Sequence, residues 1–295
     1  MSEKPAASRA GIPVGVQLGS IGSEARWWLD GARRLDAAGY AGLWSWDHFI
    51  GRGDRTVPVL EQWTILAAAA AATERIGIGT FVTNVMNRHP AVVARMASTV
   101  QAISGGRFTL GIGIGGHPRE HRAYGMDFPE IPERVTRLEE AVAVIRALWS
   151  GGPVTRPSPF YPLDDAVAFP RPEPVPRIMI GARTPRGVRL AAAIGDGWAA
   201  ESDVFEALLP RYLDALAAAG RQRADMHIAV DFGGGRTGVD ALTGSPWLAD
   251  PDGQRARWQA AGADEIILTA RTTADVDTLV KVAGRLQPSA REVRP

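Results

Sequence analysis

The chain has 295 residues, 45% hydrophobic and 22% charged, with a formal net charge of +1 and no cysteine. So even a balance gives no basic face for nucleic acid or a membrane surface, and the lack of cysteine excludes disulfides, thiolate metal sites and cysteine nucleophiles. The polar start MSEKPAASRAG has no secretory pattern and no run of about eighteen apolar residues occurs, so the expectation is a cytoplasmic protein that spans no membrane.

Short β-type runs alternate with helical patterns along the whole chain. VGVQLG (14–19) precedes EARWWLDGARRLDAAG, where Trp28, Leu29, Ala32 and Leu35 fall at helical spacing and Gly39 supplies a stop. AGLWSWD (41–47) precedes VLEQWTILAAAAAAT, whose alanine run reads as strong helix former and close packing. RIGIGTFVT (75–83) precedes PAVVARMASTVQAIS, with Pro90 suited to a first helical turn, and GRFTLGIGIG (106–115) precedes ERVTRLEEAVAVIRALW. RIMIGA (177–182) precedes PRGVRLAAAIG, and DGWAAE (196–201) precedes VFEALLPRYLDALAAAG. MHIAVDF (226–232) precedes a weaker helix around DGQRARWQAAG, and DEIILTA (264–270) precedes TADVDTLVKVAGRL. Continuously apolar runs such as IGIGTFV suit parallel strands covered on both faces. Eight strand-then-helix units predict a (β/α)8 TIM barrel, one domain over 12–287 between flexible termini at 1–11 and 288–295.

Two segments break the rhythm. Residues 151–176 are proline-rich and follow a helix, so connectivity puts their ends on the face away from the active site, with a path around one edge left open. Residues 233–247 follow the seventh strand and belong to the active face, because barrel sites are built from loops after the strand C-termini.

That rule gives meaning to Asp47 and His48, which end the second strand. An Asp-His pair elsewhere reads as a cap and a packing residue. At a barrel strand tip a histidine can give or take a proton near neutral pH. Gly111, Gly113, Gly115 and Gly116 end the fourth strand with a spacing that is not the dinucleotide fingerprint. They either bring backbone close to a ligand or simply let the barrel close. IGARTP (180–185) is either an anion site at a helix N-terminus or an ordinary short turn. The five histidines, His48, His89, His117, His121 and His227, form no close ligand pair on a strand, so no metal is expected. Trp44, Trp46, Trp198 and Trp247 either line an apolar pocket or pack.

The block TERIGIGTFVTNVMNRHPAVVARMASTVQAISGGRFTLGIGIGGHPREHRAYGM (73–126) resembles the bacterial luciferase-like monooxygenases, especially the branch that uses the deazaflavin coenzyme F420. WSWDHF, the LEEAVAVIRALW helix, PRIMIGA and the IGDGW stretch match in the same order, so the likeness covers roughly 12–286. The resemblance implies the same eightfold barrel. It also implies that Asp47 contacts the deazaflavin ring and that His48 lies beside its reactive carbon. A non-proline cis peptide is implied at Thr80–Phe81 or one residue later, so that Thr80, Phe81 and Val82 support the ring. Gly113, Gly115, Gly116 and Arg119 are implied around the ring edge and tail, and Gly181, Ala182 and Arg183 as a second phosphate loop. One departure stands out: the sugar-phosphate dehydrogenase branch carries a glutamate where this chain has Gly116, which argues against that reaction and leaves a roomier pocket. The resulting expectation is an F420-dependent oxidoreductase acting on a small organic substrate as a homodimer. The alternatives are an FMN-dependent monooxygenase and a barrel that binds a flavin or deazaflavin without turnover.

Overall fold

The computed structural model describes residues 11–287, apart from 52, 234–241 and 243–244. In chain order the elements are β1 (Val14–Leu18), α1 (Ala25–Ala37), β2 (Gly42–Ser45), α2 (Gln62–Ala72), β3 (Gly77–Thr80), β4 (Thr83–Asn84) and α3 (Pro90–Ile103). They continue with β5 (Phe108–Gly113), α4 (Pro118–Ala123), α5 (Ile131–Trp149), β6 (Val154–Arg156), β7 (Leu163–Ala166), β8 (Arg177–Gly181) and α6 (Pro185–Ile194). The last are β9 (Gly197–Glu201), α7 (Ser202–Ala218), β10 (His227–Asp231), α8 (Pro246–Ala249), α9 (Pro251–Ala260), β11 (Glu265–Ala270) and α10 (Thr273–Leu286).

Parallel pairing runs β1–β2–β3–β5–β8–β9–β10–β11 and returns to β1, so the sheet closes on itself. This is the (β/α)8 barrel that the eight sequence units predict. Strand alternation divides the apolar residues between two cores. Trp44, Phe81, Met179, Ala199, Ala229 and Ile267 fill the barrel interior, while Val16, Leu43, Ile78, Leu110 and Ile180 belong to the larger core on the other side of the sheet. The alanine run lies in α2, where Ala69 and Ala70 are buried. One polar clip ties helix to strand: the buried Asp36 carboxylate at the end of α1 accepts the backbone N–H groups of Glu74, Arg75 and Ile76 at 3.0, 3.0 and 2.7 Å. Three such bonds hold its pKa below the ordinary aspartate value although burial alone pushes it up.

The third barrel strand is interrupted. β3 ends at Thr80, the Phe81–Val82 peptide is cis, and β4 resumes to pair with β5. The proline-rich segment takes the path around an edge. Its β6–β7 hairpin is antiparallel, and Gln101 on α3 donates to the Pro174 carbonyl at 2.6 Å. Further along α3, His89 at its N-terminus meets Tyr161 edge-on, with ring centroids 5.2 Å apart. The segment therefore runs along the outside of the barrel from one face to the other. The expected flexible termini fall, but for Gly11, outside the described residues, as does most of the 233–247 loop.

Candidate active site

The strand C-termini surround a cleft of about 440 Å³. Part of its lining is the interruption itself, Phe81 and Val82. This bulge is pinned from below: Gln17 donates its amide N–H to the Phe81 carbonyl at 3.2 Å, Phe81 N–H donates to Ser45 at 2.9 Å, and Trp44 packs edge-on against the Phe81 ring. Val82 projects between β5 and β8. A Cβ added to Gly113 or to Gly181 would lie 3.0 Å from Val82 Cγ2. Glycine at these two strand ends is what lets the Val82 side chain fit.

Asp47 continues β2 onto the rim. Its buried carboxylate accepts Asn84 N–H at 2.9 Å and both guanidinium arms of Arg88 at 2.8 and 3.0 Å. Arg88 also donates to Glu61 at 2.5 Å. The two-armed contact supplies the partner that a buried carboxylate requires, and the Asn84 N–H fastens the tip of β2 to the strand that follows the bulge. His48, next in sequence, turns its Nδ1 to Glu120 Oε1 at 3.1 Å and meets the His117 ring edge-on at 4.6 Å. Burial pushes the Glu120 carboxyl upward. The hydrogen bond from His48, the charges of His48 and His117 and an N–H from Ile50 outweigh it, so its pKa lies below the ordinary glutamate value.

Beyond Asn84 the glycine end of β5 turns. Gly115 has φ +75°, and the Ile114 and Gly115 carbonyls accept Arg134 from α5 at 3.1 and 2.7 Å. A Cβ on Gly116 meets nothing within 4 Å, so the cleft is open there. Opposite, Gly181 to Thr184 lead into α6, where Thr184 caps the helix by accepting Gly187 N–H at 3.1 Å. Arg183 is ion-paired with Glu201 and, at 2.7 Å, with Asp203. Arg186 lines the cleft in the first turn of α6 and has no carboxylate partner among the described residues. A helix N-terminus beside an uncommitted guanidinium suits an anionic group.

The family model for luciferase-like monooxygenases matches residues 11–233. The chain belongs to that family. It is 38% identical over 190 residues to an F420-dependent glucose-6-phosphate dehydrogenase of Microbacterium testaceum, a match covering 62% of this chain and 54% of that protein. It is 33% identical over 193 residues to an F420-dependent hydroxymycolic acid dehydrogenase of Mycobacterium tuberculosis, covering 64% of this chain and 53% of that one. The matched region thus spans little more than half of either relative. Among solved structures, an F420-dependent secondary alcohol dehydrogenase in complex with an F420-acetone adduct superposes with a TM-score of 0.80 at 20% identity, over 94% of this chain and 99% of that one, a likeness of fold.

In this luciferase-like barrel the cleft brings together Asp47, His48, Phe81, Val82, Gly113, Gly115, Gly116, Gly181, Ala182 and Arg183. Two residues expected at the cofactor, Thr80 and Arg119, lie outside it, as does Gly111 of the glycine run. Thr80 is buried in the wall, where its hydroxyl donates to the Gly111 carbonyl at 2.7 Å and accepts Gly111 N–H at 2.9 Å. Strand alternation gives the cleft to its neighbour Phe81. Arg119 is exposed on α4, where the helical period turns Glu120, not Arg119, toward His48. The cis peptide sits one residue beyond Thr80–Phe81, within the expected reach. Of the four tryptophans Trp46 lines the cleft; Trp44, Trp198 and Trp247 pack against Phe81, Phe205 and Phe232. His121 is buried, turned to Asn84 and to the His117 carbonyl. The sequence pointed to no place at the site for Arg88, Glu120 or Arg186, and His117 was weighed there only as a metal ligand. All lie in the stretches NRHP, GGHPREH and TPRG, directly after barrel strands, which is the signal that could have found them.

Proposed function

We propose that this chain is a coenzyme F420-dependent oxidoreductase that moves a hydride between the deazaflavin and a small organic substrate. The observation that carries the reading is the His48 imidazole, held by Glu120 in the same cleft as the pinned Phe81–Val82 bulge, with the N-terminus of α6 lining that cleft. The residues present fit such a group. The apolar bulge offers a platform for a flat ring, Gly116 leaves space a side chain would fill, and Arg186 with the N-terminus of α6 offers charge to a phosphate-bearing tail. When bound, the deazaflavin accepts or supplies the hydride.

The chain's own groups do the rest. Asp47 and Arg88 hold the bulge in place. His48 takes the hydroxyl proton of an alcohol as its carbon loses the hydride, or returns that proton to a carbonyl oxygen in the reverse direction, so the substrate gains or loses one hydride and one proton. Apolar side chains such as Leu138, Val135 and Leu190 restrict water in the cleft. The sugar phosphate named for the Microbacterium testaceum relative is not carried over, because Gly116 presents no acid to such a substrate. The same proposal has the enzyme working in the cytoplasm as a homodimer, the second point being readable by light scattering. The functional test is to offer the purified protein oxidised F420 with a panel of secondary alcohols, and reduced F420 with carbonyl and alkene compounds. Change in the deazaflavin absorbance with at least one substrate supports the reading. Oxygen-dependent turnover with reduced FMN and none with F420 defeats it.

A further inference from the structure

We infer that Glu120 is a positioning residue that fixes the tautomer of His48, placing the ring proton on Nδ1 and leaving Nε2 as the atom that exchanges protons with the cleft. The inference deepens the proposed function and depends on it for its meaning, though not for its test.

Glu120 is 4% exposed, and such a group is tolerated only when donors satisfy it. Its donors are the backbone N–H of Ile50 and the imidazole of His48, 3.1 Å away. An ionised carboxylate has lone pairs and no proton to give, so the hydrogen in the His48–Glu120 contact belongs to Nδ1. The state of Glu120 supports this, since its pKa is held below the ordinary value against the pull of burial. The other ring nitrogen, Nε2, has no partner among the described residues, and the ring lines the cleft. A neutral His48 in this form offers Nε2 as a lone-pair acceptor; the protonated ring offers the same atom as a donor.

The other charged groups around the ring do not compete for that role. Asp47, adjacent in sequence, is engaged by Arg88 and Asn84. His117 meets His48 by its ring edge and also attracts Glu120 electrostatically, which places one carboxylate between two imidazoles. A free histidine prefers the opposite form, with the proton on Nε2, so without Glu120 the cleft would face a donor where the reaction needs an acceptor. Geometry explains why α4 follows the glycine end of β5 directly: the turn at Gly115 and Gly116 carries the chain back across the rim to His48.

The test uses the purified protein without cofactor. Histidine side-chain nitrogen shifts are recorded over a pH series, and the tautomer is read at the alkaline end, where the His48 signals no longer change with pH. The His48 signals are assigned by their loss in His48→Gln. The expected spectrum has a protonated Nδ1 and an unprotonated Nε2 in the parent, exchanged in Glu120→Ala and retained in Glu120→Gln, whose amide oxygen still accepts. A parent protonated on Nε2 overturns the inference by itself, whether or not Glu120→Ala folds. So does an Ala variant that keeps the Nδ1 proton. Failure of the deazaflavin reading is separate: it is seen in cofactor titrations and leaves these spectra unchanged.

Discussion

Gly181→Ala is the perturbation whose consequence the geometry defines most closely. The added Cβ would stand 3.0 Å from Val82 Cγ2 and 3.2 Å from Cγ1. Carbon atoms in comfortable contact are about 3.5–4.0 Å apart, so two methyl groups are each too close by several tenths of an ångström. Val82 has little room to yield. It is β-branched and stiff about its first side-chain torsion, and its Cγ2 methyl lies so near the ends of both β5 and β8 that a Cβ on Gly113 would also stand 3.0 Å from it. Overpacking of this kind costs about 1–3 kcal/mol. If Val82 is the cause, removing its methyls removes the cost. Urea unfolding of the parent, Gly181→Ala, Val82→Ala and the double variant forms a cycle, and we expect a favourable coupling of about 1 kcal/mol or more, within the range for residues in contact. Equal costs for Gly181→Ala in both backgrounds would refute the packing argument and leave the glycine to be explained by the ligand alone.

His48→Ala should keep F420 affinity while lowering turnover about 10²-fold, read by steady-state kinetics on any substrate the panel identifies. Arg186→Ala should weaken F420 binding by about 1–3 kcal/mol, and Arg183→Ala by less, because Glu201 and Asp203 already engage Arg183; equal losses in the two titrations would reverse the assignment. Asp36→Asn should destabilise the fold at neutral pH and lose that effect in acid. The folded pKa is depressed, so the carboxylate's contribution is present above the ordinary value of 3.8 and disappears as pH falls through the lowered one. Melting temperatures of parent and variant, followed from neutral pH down through the acid range, show whether the difference shrinks as pH falls below 3.8.

The barrel was legible because parallel strands covered on both faces must be apolar throughout, and runs such as RIMIGA meet that requirement without help from distant residues. His48 was legible for a related reason: a titratable group at the end of such a run can only be on the rim. Its partner was not. Glu120 lies 72 residues away, and Arg88 lies 41 residues from Asp47, so no local pattern joins either pair. Arg183 and Arg186 look alike in the sequence, and only the acids brought alongside by β9 and α7 commit Arg183, while Arg186 meets no carboxylate among the described residues. Arg119 and Thr80 stand outside the cleft by one step of phase, a neighbour on the same helix or strand holding the inward position.

The most direct measurement is a titration of the purified protein with coenzyme F420 and, separately, with FMN, following quenching of each cofactor's own fluorescence. The account predicts saturable binding of F420 and at least tenfold weaker binding of FMN. Tight FMN binding with no response to F420 would contradict it.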